Sequence, residues 1–141
     1  MMRDIDEIAS DFELLDDWED RYRYLIELGR ELPAMDEADM NDRTKVPGCV
    51  SQVWLVSRTD DASPPRVSFM GQSDAHIVKG LVAVALSLYS GRTAPEILSL
   101  DAEALFGRIG LQEHLTPQRS NGLRSMVRRI QADARTAMEA A

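Results

Sequence analysis

The chain has 141 residues, 44% of them apolar, one cysteine and a net charge of −8. That length fits one domain over residues 1–141 with a single core. The lone cysteine excludes an internal disulfide and a Cys-only zinc or iron–sulfur site, and no apolar run reaches the roughly 18 residues of a membrane span.

The first segment reads as a helix, with Ile5, Ile8, Phe12 and Leu15 at helical spacing and Asp4 as its cap. It has acidic residues and no apolar h-region, so it is not expected to be a signal peptide, and a cytoplasmic location is the default. Asp17 caps a second helix carrying Trp18, Tyr22, Leu25 and Ile26, with Gly29 and Pro33 at its end. Residues 33–48 form a polar, aperiodic stretch closing on the turn pair Pro47-Gly48. A loop this long in a compact domain is more often functional than accidental.

The run VSQVWLVS predicts a strand, apolar on both faces and so expected to be central. TDDASPP reads as a hairpin connection and RVSFMGQS as an antiparallel neighbour, with a third short strand expected near residues 43–47. Ser73-Asp74 is expected to cap a helix that is apolar on nearly all sides through Ile77, Leu81, Val84 and Leu88, and Gly91 to end it. Thr93-Ala-Pro-Glu96 is a capping box, and Asp101 caps a short helix through Phe106. Residues 111–115 read as a link. Thr116-Pro117 opens an amphipathic helix through Leu123, Met126, Val127, Ile130 and Ala134. Strands cluster instead of alternating with helices, which predicts an α+β fold: a small antiparallel sheet packed with helices.

Charge is unevenly placed. Residues 1–42 carry −11 and the remainder +3. An acidic face opposes nucleic acid and suits either simple solubility or a partner with basic patches. Arg124, Arg128 and Arg135 share one side of the last helix, with Arg119 and Arg129 nearby. A solvated face is the plain reading and a partner-binding stripe the alternative.

Cys49 stands between a Pro-Gly turn and a strand start. That position places a thiol at a loop tip anchored by a rigid element, as sulfur transfer requires. A thiolate must reach a donor persulfide, attack its terminal sulfur and carry the new persulfide onward. A lone cysteine is also commonly a small buried hydrophobe, and the local sequence leaves both readings open. His76 and His114 have no metal-ligand spacing, and neither a serine-hydrolase elbow nor a phosphate loop is present. Asp16-Asp17 and Asp60-Asp61 read as a helix cap and a hairpin tip. No metal or cofactor is expected in the chain.

Four blocks, WEDRYRYLIELGRELP, VPGCVSQVWLV, SDAHIVKGLVAV and HLTPQRSNGLRSM, occur in this order and spacing. Through them the chain resembles the SufE family of cysteine desulfurase activators over about residues 15–135. The resemblance implies an α+β fold like that of SufE and of IscU-type scaffolds. It implies that Cys49 accepts persulfide sulfur from a pyridoxal-phosphate cysteine desulfurase of the SufS type and stimulates that enzyme. Sulfur would then pass to a SufBCD-type iron–sulfur scaffold. It also implies a cysteine loop that shelters its side chain in an apolar cavity. Gly48, Ser51, Gln52, Asp74, Lys79 and Arg119 carry over as residues shaping the loop pocket or the desulfurase surface. Ser51 and Asp74 also read as plain turn or cap residues. Two departures stand out: Pro47 stiffens the approach to the cysteine, and His76 replaces an expected small residue. A carrier feeding another sulfur pathway such as tRNA thiolation, and a non-covalent regulator of a desulfurase, remain alternatives; nucleic acid and membranes are not expected partners.

Overall fold

The structure is a computed structural model, and it describes residues 4–48, 51–111 and 115–140. Two helices come first, α1 (Ile5–Leu14) and α2 (Trp18–Arg30). Asp4 accepts a hydrogen bond from the Asp6 amide and Asp17 from the Glu19 amide, so each first turn is capped as expected. The pair is tied by the Tyr24 hydroxyl, which donates to Asp11 at 2.5 Å, and by an edge contact of Phe12 on Tyr24. The polar stretch follows, with a single 3-10 turn at Glu37–Asp39.

Strands β1 (Val53–Thr59) and β2 (Arg66–Ser73) pair antiparallel from Val53 opposite Ser73 to Thr59 opposite Val67. Two expectations about this sheet are corrected. The third strand is β3 (Arg92–Thr93), paired with β2, while the segment near 43–47 makes only an isolated bridge from Lys45 to Trp54. The order β1-β2-β3 therefore makes β2 central and β1 an edge. The apolar residues on β1's second face misled the reading: Val53 and Leu55 are buried, while Trp54 and Val56 are half-buried on the other side.

Helix α3 (His76–Tyr89) lies across the inner face of the sheet and buries ten residues from Val78 to Tyr89. Each fully buried Val or Leu contributes on the order of 1.5–3 kcal/mol, so this helix is the main source of core stability. It also packs on α2 with almost no space between backbones. A Cβ on Gly80 would collide with the Leu25 carbonyl oxygen, and one on Gly29 would stand 2.7 Å from the Lys79 Cβ. Gly29 thus serves helix–helix approach within α2 instead of ending it, a tertiary reason invisible in local sequence.

Ser73 and Asp74 do not cap α3 as expected. The cap position is Ala75, which makes no side-chain capping bond. The Ser73 hydroxyl and Asp74 carboxylate are instead engaged across the sheet, as described below. α4 (Ala94–Ser99) opens on the expected capping box, and α5 (Ala102–Arg108) on Asp101, which accepts from the Ala104 amide. α6 (Pro117–Ala140) buries Gly122, Leu123, Met126, Ile130, Ala134 and Ala137 against α3 and α4. Among the described residues no helix is long and apolar enough to cross a membrane.

Candidate functional site

Cys49 itself lies outside the described residues, as does His114. The segments on either side of Cys49 are described and define its setting. Val46 donates its amide to the Val53 carbonyl at 2.8 Å, and Leu55 to the Thr44 carbonyl at 2.9 Å. These bonds join the two arms that lead into and out of residues 49–50, with described ends Pro47-Gly48 and Ser51-Gln52.

The arm before the cysteine is a self-bonded knot of side chain and backbone. Asn41 Oδ1 accepts from the Arg43 and Thr44 amides, and Asn41 Nδ2 donates to the Ala38 carbonyl. Thr44 Oγ1 donates to the Asp39 carbonyl at 2.6 Å. Such Asx- and Thr-centred turns let a polar segment fold without a hydrophobic core. The arm then meets α6 at two points. Arg129 Nη2 donates to the Arg43 carbonyl at 2.9 Å, and Gly48 lies so near Ser125 that a Cβ would stand 2.6 Å from its hydroxyl. Gly48 also has φ of 85°, a left-handed conformation that disfavours side chains.

The arm after the cysteine is anchored at the β2–α3 junction. The Gln52 amide donates to Asp74 Oδ1 at 3.0 Å. The Ser73 hydroxyl donates to the Gln52 carbonyl at 2.7 Å, and the Asp74 amide donates to the same oxygen at 3.3 Å. This clamp draws the Asp74 carboxylate away from the α3 N-terminus, while the Ser73 hydroxyl also accepts from the Ala75 amide at 3.3 Å.

Ser51 opens onto a pocket of about 270 Å³ between α3 and α6, lined also by Val78, Leu81, Arg119, Gly122 and Met126. Its walls are mixed: Val78, Leu81 and Met126 on the apolar side, Thr116, Gln118 and the half-buried Arg119 on the polar side. Of the residues singled out in the sequence, Gly48, Ser51, Gln52, Asp74 and Arg119 thus converge on the turn, its anchors or its pocket. Lys79 does not line the pocket; its Cβ faces α2 at Gly29. Sequence reasoning missed Ser125 and Arg129 as supports of the turn. No local signal marks them, because the Arg129 contact spans 86 positions. His76 is exposed at the start of α3, and Asp60 accepts from the Arg66 and Ala62 amides at the hairpin, which holds its carboxyl below the usual range. Among the described residues no group of three His, Cys, Asp or Glu side chains is placed to hold a metal ion.

Comparison with known proteins gives the family and the fold. Residues 6–134 match the family model described as SufE: Fe-S metabolism associated domain. An uncharacterized SufE-like protein of Rhizobium meliloti is 57% identical over 134 residues, covering 94% of this chain and 96% of the relative. Another from Rhizobium etli is 57% identical over 135 residues, covering 95% and 91%. The solution structure of a hypothetical protein from Thermus thermophilus has the same fold, with a TM-score of 0.76 over 96% of both chains at 20% identity. The chain belongs to the SufE family, a family associated with Fe–S metabolism.

Proposed function

We propose that the protein is a sulfur acceptor that takes sulfane sulfur from a cysteine desulfurase of the SufS type onto Cys49 and relays it to a SufBCD-type scaffold. The observation that carries the reading is the arrangement around the turn. Its two described ends are pinned to different parts of the core, and beside them Ser51 opens onto a pocket with the Val78, Leu81 and Met126 side chains on one side and Arg119 on the other. Consecutive Cα atoms are about 3.8 Å apart, so chain connectivity keeps Cys49 within reach of both anchors.

In the first step, the Cys49 thiolate attacks the terminal sulfur of the desulfurase persulfide. The donor S–S bond breaks as the new S–S bond forms, and the desulfurase cysteine leaves as a thiolate. No external oxidant is consumed, because the sulfane sulfur keeps its oxidation state. Clearing the donor cysteine readies the desulfurase for another turnover, which accounts for stimulation. The second step repeats the exchange with the scaffold's acceptor. A persulfide left in bulk water meets competing thiols, and a pocket beside the cysteine segment would slow that loss by restricting their approach. Arg119 at the pocket wall supplies positive charge suited to a thiolate or perthiolate.

Mass spectrometry after incubation with desulfurase and free cysteine tests the reading. The peptide containing Cys49 should gain about 32 Da per added sulfur. Cys49→Ser should lose both that mass and the stimulation of desulfurase turnover. Full stimulation by the serine variant would reject covalent relay in favour of a docking regulator.

A further inference from the structure

The arm that leads to the cysteine is exposed along almost its whole length. Asn41, Asp42, Arg43, Lys45, Pro47 and Gly48 are exposed, and only Val46 is buried. Apolar burial therefore contributes little to holding this arm in place. Its own hydrogen bonds fold it, and two backbone bonds with the buried Val46 side chain hold its stretch over residues 44–46 on β1. Across to α6 the tie is the Arg129 guanidinium on the Arg43 carbonyl, one helical turn beyond Ser125, which backs Gly48. Four residues along a helix span about 6 Å, so the two supports act on one stretch of arm. The guanidinium is steadied in turn by Asp133, 3.3 Å from Nε, with the two side chains only 27% and 20% exposed. A planar guanidinium fits this task, since one edge holds the carboxylate while another nitrogen reaches the carbonyl.

We propose that Arg129 is a positioning residue for the cysteine turn: with Asp133 it holds the arm over residues 38–48 on α6, and so sets how often that arm lifts and presents Cys49. It touches neither donor nor acceptor sulfur. The proposal rests on the reading of Cys49 as the reactive thiol and refines it, because a carrier needs a holding force weak enough to release on docking. On the α6 side that force is a single, partly exposed hydrogen bond to a backbone carbonyl, which has that strength, while the β1 bonds serve as the arm's fixed end.

The experiment follows alkylation of the full-length protein by iodoacetamide, which modifies the one cysteine and needs no desulfurase. Arg129→Met keeps the alkyl stem and removes the donors. It should raise the alkylation rate about two- to tenfold, as loss of one net hydrogen bond allows. Arg129→Lys, which can still donate to the Arg43 carbonyl, should return part of the way to wild type. Arg128→Met, its exposed neighbour on α6, should leave the rate unchanged. Amide exchange should quicken at Thr44 and Val46 but not at Leu81 or Val84 in α3, an outcome that general destabilisation would not produce. If Arg129→Met does not fold, Asp133→Asn is the second variant, with a smaller rise expected. An unchanged rate in a folded variant, or an equal rise in Arg128→Met, overturns the proposal. A normal alkylation response without any persulfide on Cys49 would instead reject the relay and leave the positioning role standing.

Discussion

The α2–α3 contact and the arm before Cys49 hold their shapes by opposite means. At the helix pair, backbone lies almost on backbone, and fully buried Leu25, Leu81 and Val84 fill the space around it. In the arm, side-chain oxygens of Asn41 and Thr44 fold an exposed chain, and isolated bonds dock it to α6 and β1. Close packing is unforgiving of added volume, whereas a polar network yields one bond at a time. The difference suits the proposed relay, which asks for a fixed platform and a segment that can be displaced.

The largest expected effect lies in the platform. Gly80→Ala places a methyl group against the Leu25 backbone, which cannot rotate away. It should cost about 3 kcal/mol, at the upper end for overpacking, and lower the denaturant midpoint. A loss below about 1 kcal/mol would show that α2 can slide on α3, and would erase the contrast. In the clamp after the cysteine, Asp74→Ala leaves the Gln52 amide without its carboxylate acceptor. Because the pair is exposed, the global cost should stay near or below about 1 kcal/mol. The local signature should be larger, namely faster exchange of the Gln52 amide and faster alkylation of Cys49. A global loss comparable to that of Gly80→Ala would place this clamp in the platform.

The smallest effect concerns an imperfection in the core. The Tyr89 ring is fully buried at the end of α3, and its hydroxyl has no hydrogen-bond partner among the described residues. Burial, assisted by the charge of Asp101, pushes its pKa up to about 12. The raised value means the folded state favours the neutral phenol. Its stabilising contribution is complete below the ordinary tyrosine value and is lost as pH rises from there through about 12. Tyr89→Phe should leave stability at neutral pH unchanged or raise it by up to about 1 kcal/mol, since an orphaned polar group is removed. It should also flatten the alkaline limb of the stability profile. Clear destabilisation at neutral pH would mean that the hydroxyl has a partner.

Much of this was readable in the chain. Helix starts at Asp4, Asp17, Thr93 and Asp101 are chemical signals that act within four residues, and each caps as expected. The apolar run of α3 and the amphipathic period of α6 likewise depend only on local spacing. Ser73-Asp74 shows the limit. A serine–aspartate pair before a helix is a good cap by composition, yet both side chains serve the Gln52 backbone across the sheet. Local preference lost to a long-range partner that fixes the cysteine turn.

The sequence by itself determined the kinds of elements, their order, the lone thiol after a Pro-Gly turn and the family. Those depend on short-range periodicity, capping chemistry and motif spacing, all written along the chain. Only the tertiary structure decided that β2 is central, that Gly29 and Gly80 let two helices touch, and that Arg129 reaches the arm before the cysteine. Each of these is a meeting of residues distant in sequence, governed by steric fit and hydrogen-bond geometry that exist only once the core has closed.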